Sequence, residues 1–424
     1  MLDNTSSFSV KDYFACIVIF IVPLWHPLSQ WILHFDIARR IPLALLIIAL
    51  LLLAKDIRNR VLKQHFIVYF LLALWMYING IVQGGYLNYG NNVANGKYVM
   101  FVYLFCPLMY MTLVAYLSVV DFDKVLKWVT WSLFLYCVLC LFFGEFDEQG
   151  RLGGGLNANG IATYGNFCFF CLLLQFMQGQ RSLQSLIVFS IIPVYLIVFS
   201  GSRIAFGLLA SAAILAAFLF YRNRKWSGSV LLYVLIAIVL IVGITYVMNN
   251  TVVGERLRET STQVEGMEVE TGTVLDMLGD RGPQYYWSWP YFLEHPIRGI
   301  GLNNWRVVGN TGLVFHSEWL VLYCENGIVA LALYLLFYIS LLIGLFSALR
   351  TCYVDDKESL ILLVFVLFAI AMLNFVSWTY DTFCVFAFYA FASAYPQREE
   401  LDDEETEDCC EDEEMIEDEE MLLS

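Results

Sequence analysis

A chain of 424 residues that is 59% hydrophobic and only 15% charged carries more apolar surface than a water-soluble globule can bury. With a mean hydropathy of +0.66, this composition excludes a soluble enzyme or binding module and points to a polytopic membrane protein. The formal net charge of −15 belongs to one segment: Glu399 to Glu420 holds 16 acidic residues and no basic one, leaving 23 acidic against 24 basic residues elsewhere. No nucleic-acid partner is expected of such a chain; its surroundings are membrane lipids.

In chain order, "MLDNTSSFSVKDYF" has no clear basic n-region, and no small-residue cleavage site follows the first apolar run. That run is expected to stay as an anchor. A bilayer core takes about 20 apolar residues per helix. On that basis the sequence predicts spans at 12–34, 41–54, 64–83, 97–119, 125–144, 160–178, 183–200, 203–221, 229–248, 328–350, 358–374 and 378–395. Pro23 and Pro27 interrupt the first. The expected fold class is all-α, an integral membrane helical bundle of about 12 transmembrane helices with one long extracytoplasmic loop. Its parts are a nine-helix bundle over 1–248, the loop over 249–327, three C-terminal helices over 328–395, and an acidic cytoplasmic tail over 396–424. The tail is expected to be disordered because like charges repel and little apolar surface is available.

Cysteine pairs within the apolar runs, "CVLC" (Cys137, Cys140) and "CFFC" (Cys168, Cys171), have the gap of a zinc half-site. Burying four thiolates in an apolar bundle is costly, so small helix-packing residues are the better reading, and no metal is expected. Lys and Arg cluster at "KDIRNRVLK", "RNRK", Lys124, Lys127, Arg181, Arg350 and Lys357, on the side of the N-terminus; Arg39 and Arg40 fall on the other. The bias predicts a cytoplasmic N-terminus and tail, and an extracytoplasmic 249–327 loop. No Asp, Glu, Lys or Arg falls near the middle of any expected span. That disfavours an ion-coupled transporter or flippase, which would place ionisable groups at the midplane.

The loop divides in two. "NNTVVGERLRETSTQVEGMEVETGTVLDMLGD" is polar and acidic, whereas "RGPQYYWSWPYFLEHPIRGIGLNNW" is dense in Tyr and Trp. Such aromatics favour the headgroup level, so the second half is expected to form short interfacial helices broken at Pro283, Pro290 and Pro296. Its rings, Trp287 among them, could also stack on sugars. Three outer arginines stand out. Arg203, after "FSGS", opens an apolar helix whose dipole it opposes, an arrangement suited to anion binding or to snorkelling. Arg281 follows Asp280, a local ion-pair partner. Arg151 lies in the Gly- and Asn-rich "EQGRLGGGLNANG" with Asn157 and Asn159, either a flexible turn or a backbone cradle. His316 is expected at the head of an apolar helix, where an imidazole stays neutral and can accept a proton.

Taken together, "SGSRIAFG", "DRGPQYYWSWPYFLEHPIRGIGLNNW" and "HSEWLVLYCENGIVA" resemble the O-antigen ligase and O-antigen polymerase superfamily of bacterial membrane glycosyltransferases. The resemblance rests on Arg203 after Ser202, on Arg281 before an aromatic stretch, and on Pro296–Gly299–Ile300–Gly301. It also rests on His316–Ser317 followed after nine residues by Gly327, with Glu325 just before that glycine. Ala330 and Gly207 depart from the family pattern. The resemblance implies transfer of a glycan from an undecaprenyl-pyrophosphate carrier to a sugar hydroxyl, at the periplasmic face of the bacterial inner membrane, without metal, nucleotide or other cofactor. Arg203 and Arg281, with Arg151, would bind the pyrophosphate. His316 would serve the acceptor or the phosphates, while Asn157, Asn159, Ser202, Ser317, Glu325 and Trp287 line the substrates. The acceptor is either lipid A–core, making the chain a ligase of lipopolysaccharide biosynthesis, or another glycan, making it a repeat-unit polymerase.

Overall fold

With no water to satisfy their N–H and C=O groups, long apolar segments must close their hydrogen bonds within themselves, and they fold as helices. The computed structural model describes residues 10–33, 40–57, 59–83, 107–148, 150–153, 158–202, 205–211, 245–247, 249–251, 282–301, 304–305, 318–351, 356–372 and 383–397. Among these there is no strand beyond one isolated bridge between Phe146 and Leu152. The helices are α1 (Val10–Pro27), α2 (Arg40–Leu53), α3 (Arg60–Gln83), α4 (Pro107–Leu117), α5 (Phe122–Phe143), α6 (Ala158–Met177), α7 (Leu183–Phe199), α8 (Gly282–Glu294), α9 (Gly327–Thr351), α10 (Asp356–Met372) and α11 (Phe383–Ala394). Four of the described helices, α3, α5, α6 and α9, are long and apolar enough to cross a membrane, with α1, α4 and α7 as shorter apolar helices. The chain is thus a helical membrane protein. The expected span 229–248 lies almost wholly outside the described residues.

Local chemistry sets the helix ends. Asn59 Oδ1 accepts from Val61 and Leu62 N–H at 2.8 and 3.2 Å and caps α3. Asp121 caps α5 through Asp123 N–H, and Ser182 caps α7 through Ser185 N–H. Helix α1 runs through Pro23 to Pro27 and then loosens into a π turn, Leu28–Leu33, because proline rings supply no N–H to the ladder.

Helix α6 is the hub, and nearly every residue from Ile161 to Gln175 is buried. Gly165 lets α7 approach: a Cβ there would lie 3.0 Å from Pro193 O and 3.0 Å from Ile197 Cγ1. Small residues allow such close backbone packing in membranes. Cys137, Cys140, Cys168 and Cys171 are buried free thiols on the packed helices α5 and α6. On the outside, Ile67, Phe70, Leu74 and Ile78 of α3, with Leu336, Ile339 and Ile343 of α9, remain exposed and form a lipid-facing belt.

Ring and hydroxyl contacts fix which helix ends lie together. Phe122, at the start of α5, packs on Phe391 and Tyr395 at the end of α11. Tyr389 of α11 meets Tyr334 of α9 through their hydroxyls at 2.8 Å, and His65 near the start of α3 meets Ser340 of α9 at 2.7 Å. Lys11 and Asp56, 3.6 Å apart, join the start of α1 to the segment after α2. The opposite end therefore gathers the last turns of α3, α5 and α7 and the first turns of α6 and α9.

Candidate active site

Two constructions stand at that second end. The first is the 144–153 loop, expected as either a flexible turn or a backbone cradle. It is a small hairpin: Asp147 N–H donates to Arg151 O at 2.8 Å, Gly153 N–H to Glu145 O at 2.9 Å, and Gly150 takes φ 72° at the bend. Leu152 N–H donates to Phe199 O at 2.8 Å and ties the hairpin to the end of α7. Arg151 is half-buried, and its guanidinium bridges two helices. Nε donates to Ser200 O at 2.9 Å and Nη2 to Asn159 Oδ1 at 3.1 Å. Asp147 Oδ1 accepts the Arg151 backbone N–H at 2.8 Å.

Directly past Ser200, the chain turns through Gly201 (φ 69°), and Phe206 N–H, in the helix 205–211, donates to Ser202 O at 3.0 Å. Ser202 is buried, and its own N–H is held by Ser200 Oγ at 3.2 Å. Arg151, Asn159 and Ser202 are thus brought together around the carbonyl and hydroxyl of Ser200. Sequence reasoning did not single out Ser200 or Asp147; the small-residue run "FSGS" was the only signal for the former.

The second construction is a junction of bare backbone. Helix α8 is followed by a turn over 296–298, and a short helix Glu318–Leu320 runs into a π turn, Val321–Glu325. These strands of chain lie directly on each other. Ile300 N–H donates to Cys324 O at 2.9 Å, Gly301 N–H to Glu325 O at 3.0 Å, and Ile328 N–H to Pro296 O at 2.8 Å. Helix α3 closes the junction from one side, Asn79 Nδ2 donating to Arg298 O at 2.7 Å and Trp75 Nε1 to Asn326 O at 3.1 Å.

Such contact leaves no room for side chains, which explains the glycines physically. A Cβ on Gly299 (φ 69°) would lie 2.4 Å from Cys324 O. One on Gly327 (φ 75°) would lie 2.2 Å from Ile297 O. Only glycine takes both the left-handed backbone and the approach. By contrast Gly207 meets nothing within 4 Å, so no packing demands glycine there.

The aromatic stretch supports this junction. Ser288 is buried, its Oγ 2.5 Å from Tyr323 Oη, and Phe292 stands edge-on to Tyr323 at 5.4 Å. Trp287 is half-buried against the core, whereas Tyr286 and Trp289 face outward. The expected break at Pro290 does not occur, whereas α8 starts at Gly282, beside Pro283. Pro283 sits in the first turn of α8, where no N–H is needed, and Pro290 lies exposed inside the helix; the break comes at Pro296. The path into α9 also differs from a simple helix start, since Leu320 to Gly327 are all buried and bend through the π turn.

Glu325 is 3% exposed, and its Oε1 accepts the Trp305 backbone N–H at 3.3 Å. Trp305 is itself buried, with Tyr291 edge-on at 5.9 Å. A buried carboxylate bonded to main chain fits an orienting role. Arg203, Arg281, His316, Ser317 and Asn157 lie outside the described residues, as does the Glu318 side chain. In sequence, α8 begins one residue after Arg281, and Glu318–Leu320 begins one residue after Ser317. Among the described residues, no group of three or more His, Cys, Asp or Glu side chains could hold a metal ion.

Residues 188–335 match the family model described as O-antigen ligase. That stretch takes in Ser202, the whole backbone junction and Gly327. No curated protein matches the chain.

Proposed function

Because residues 188–335 match the O-antigen ligase family model, we propose that the chain transfers a glycan from an undecaprenyl-pyrophosphate carrier to a sugar hydroxyl. Its coarse class is a membrane glycosyltransferase of the ligase or polymerase type. Arg203 and Arg281, aided by Arg151, bind the diphosphate, whose charged oxygens suit the planar guanidinium forks. The acceptor oxygen attacks the anomeric carbon and its proton passes to the imidazole of His316. The bond from that carbon to the diphosphate oxygen breaks, and the carrier leaves with the bonding electrons. A single displacement of this kind inverts the anomeric centre. The reaction face is the periplasmic side of the inner membrane.

One observation carries the reading. Helix α8 and the π turn Val321–Glu325 are held by direct contact between Ser288 and Tyr323 and by the glycine junction. The chain positions leading into those two elements are the ones that carry Arg281 and His316. A fixed junction that follows both residues in sequence supports the orientation that a displacement reaction needs.

The acceptor is lipid A–core. A deletion strain is expected to keep lipid-linked O-chains of full length while losing core-attached O-chain, read on lipopolysaccharide gels and on the extracted carrier lipid. Loss of long chains on the carrier itself would make the chain a polymerase instead.

A further inference from the structure

At the other end of the bundle, one face of α5 repeats a basic and aromatic pattern. Lys124, Lys127, Trp128, Trp131, Leu135 and Val138 each stand three or four positions from another of the set. Between this stripe and Phe20 of α1 lies an open groove of about 510 Å³, in which Lys127 is the one charged lining residue. Trp128 and Trp131 are 43% and 46% exposed there, too bare for packed core and well suited to contact with lipid.

The groove is built rather than incidental. Ser132 Oγ donates to Phe20 O at 2.7 Å and fastens α1 to α5 behind it, and Phe20 stands edge-on to Trp128 at 5.8 Å. Trp131 is backed from α7 by Phe189 at 5.5 Å and by the Arg181 guanidinium at 5.7 Å. Arg181 is fixed in turn by Gln175 and by Ser185 Oγ. Of the described acidic groups beside the stripe, Asp121 caps α5 and Asp123 accepts from Gln178 at 3.0 Å.

Length and charge name the occupant. From Lys127 to Val138 the helix rises about 16 Å, half the roughly 30 Å hydrocarbon thickness, which matches one acyl chain of one leaflet. Lysine at the membrane surface above an aromatic belt attracts an anionic head group. We propose that this groove is a binding site for an anionic glycerophospholipid of the leaflet opposite the reaction face. The head-group phosphate pairs with Lys127, and an acyl chain runs along Trp128, Trp131, Leu135 and Val138. The site lies at the far end of the bundle from the backbone junction, so the lipid here is a resident and not the glycan donor.

The test is native mass spectrometry of the purified full chain, offered equal amounts of phosphatidylglycerol and phosphatidylcholine with identical acyl chains. The wild type is expected to retain phosphatidylglycerol preferentially. Lys127→Gln, an exposed change that leaves the fold intact, lowers that preference about fivefold. Val138→Trp, which fills the groove opposite Lys127, lowers retention of both lipids. Equal retention of the two lipids by the wild type, or an unchanged preference in Lys127→Gln, would overturn the site.

Discussion

Gly327→Ala is expected to unfold at a markedly lower temperature than the wild type in detergent and to lose glycan transfer, whereas Gly344→Ala in the same helix does neither. Both changes add one methyl group to α9, so composition and hydropathy cannot separate them. At Gly344 the new Cβ meets nothing within 4 Å, and alanine in a helix interior is worth about 0.5–1 kcal/mol over glycine. At Gly327 the backbone is left-handed (φ 75°), which alone costs an L-residue about 1–3 kcal/mol. The added atom would also lie 2.2 Å from Ile297 O and 2.7 Å from Arg298 N, which are main-chain atoms that no rotamer change can move. The junction must open to admit it, and the bond from Ile328 N–H to Pro296 O is the first to go. Melting curves of the two variants side by side check this, and coincident curves would show the contact to be unimportant.

The second large effect is chemical. His316→Ala is expected to lower the rate of transfer by about a hundred- to ten-thousand-fold, the range over which a positioned general base acts. Donor binding should survive, because the account assigns the diphosphate to the arginines and the acceptor proton to the imidazole. A single-turnover assay with purified chain, lipid-linked glycan and acceptor reads the loss directly. Rising pH should partly restore His316→Ala, since hydroxide or an ionised acceptor can replace the missing base. A transfer rate equal to that of the wild type would remove His316 from the reaction.

Much of the bundle was legible in advance because the bilayer reduces folding to one rule, that apolar runs of sufficient length become helices. Helices α3, α5, α6, α7 and α9 fall where apolar length predicts them. What the pattern hid was conformation within such runs. Val321–Glu325, expected within the 249–327 loop, forms a π turn whose carbonyls accept from Ile300 and Gly301, more than 20 positions away in sequence. Pro290 reads as a helix breaker and sits inside α8, exposed, where losing one ladder bond is tolerated. The candidate site divides in the same way. The glycines at 299, 301 and 327 were visible as letters, and their reason, backbone resting on backbone, appears only in three dimensions. Arg151 was visible as a cation in a glycine-rich loop, but nothing in that loop announces Ser200 O as its partner.

Guanidinium groups holding a lipid diphosphate are the heart of the proposal, and equilibrium binding of that lipid measures it most directly. With undecaprenyl diphosphate titrated into purified chain in nanodiscs, Arg203→Ala and Arg281→Ala should each weaken binding about tenfold or more, as loss of a charge-assisted contact does. His316→Ala should bind as the wild type does, and uncharged undecaprenol should not distinguish any of the four proteins. If both arginine variants instead bind the diphosphate lipid with undiminished affinity, the assignment of these cations to the leaving group is wrong.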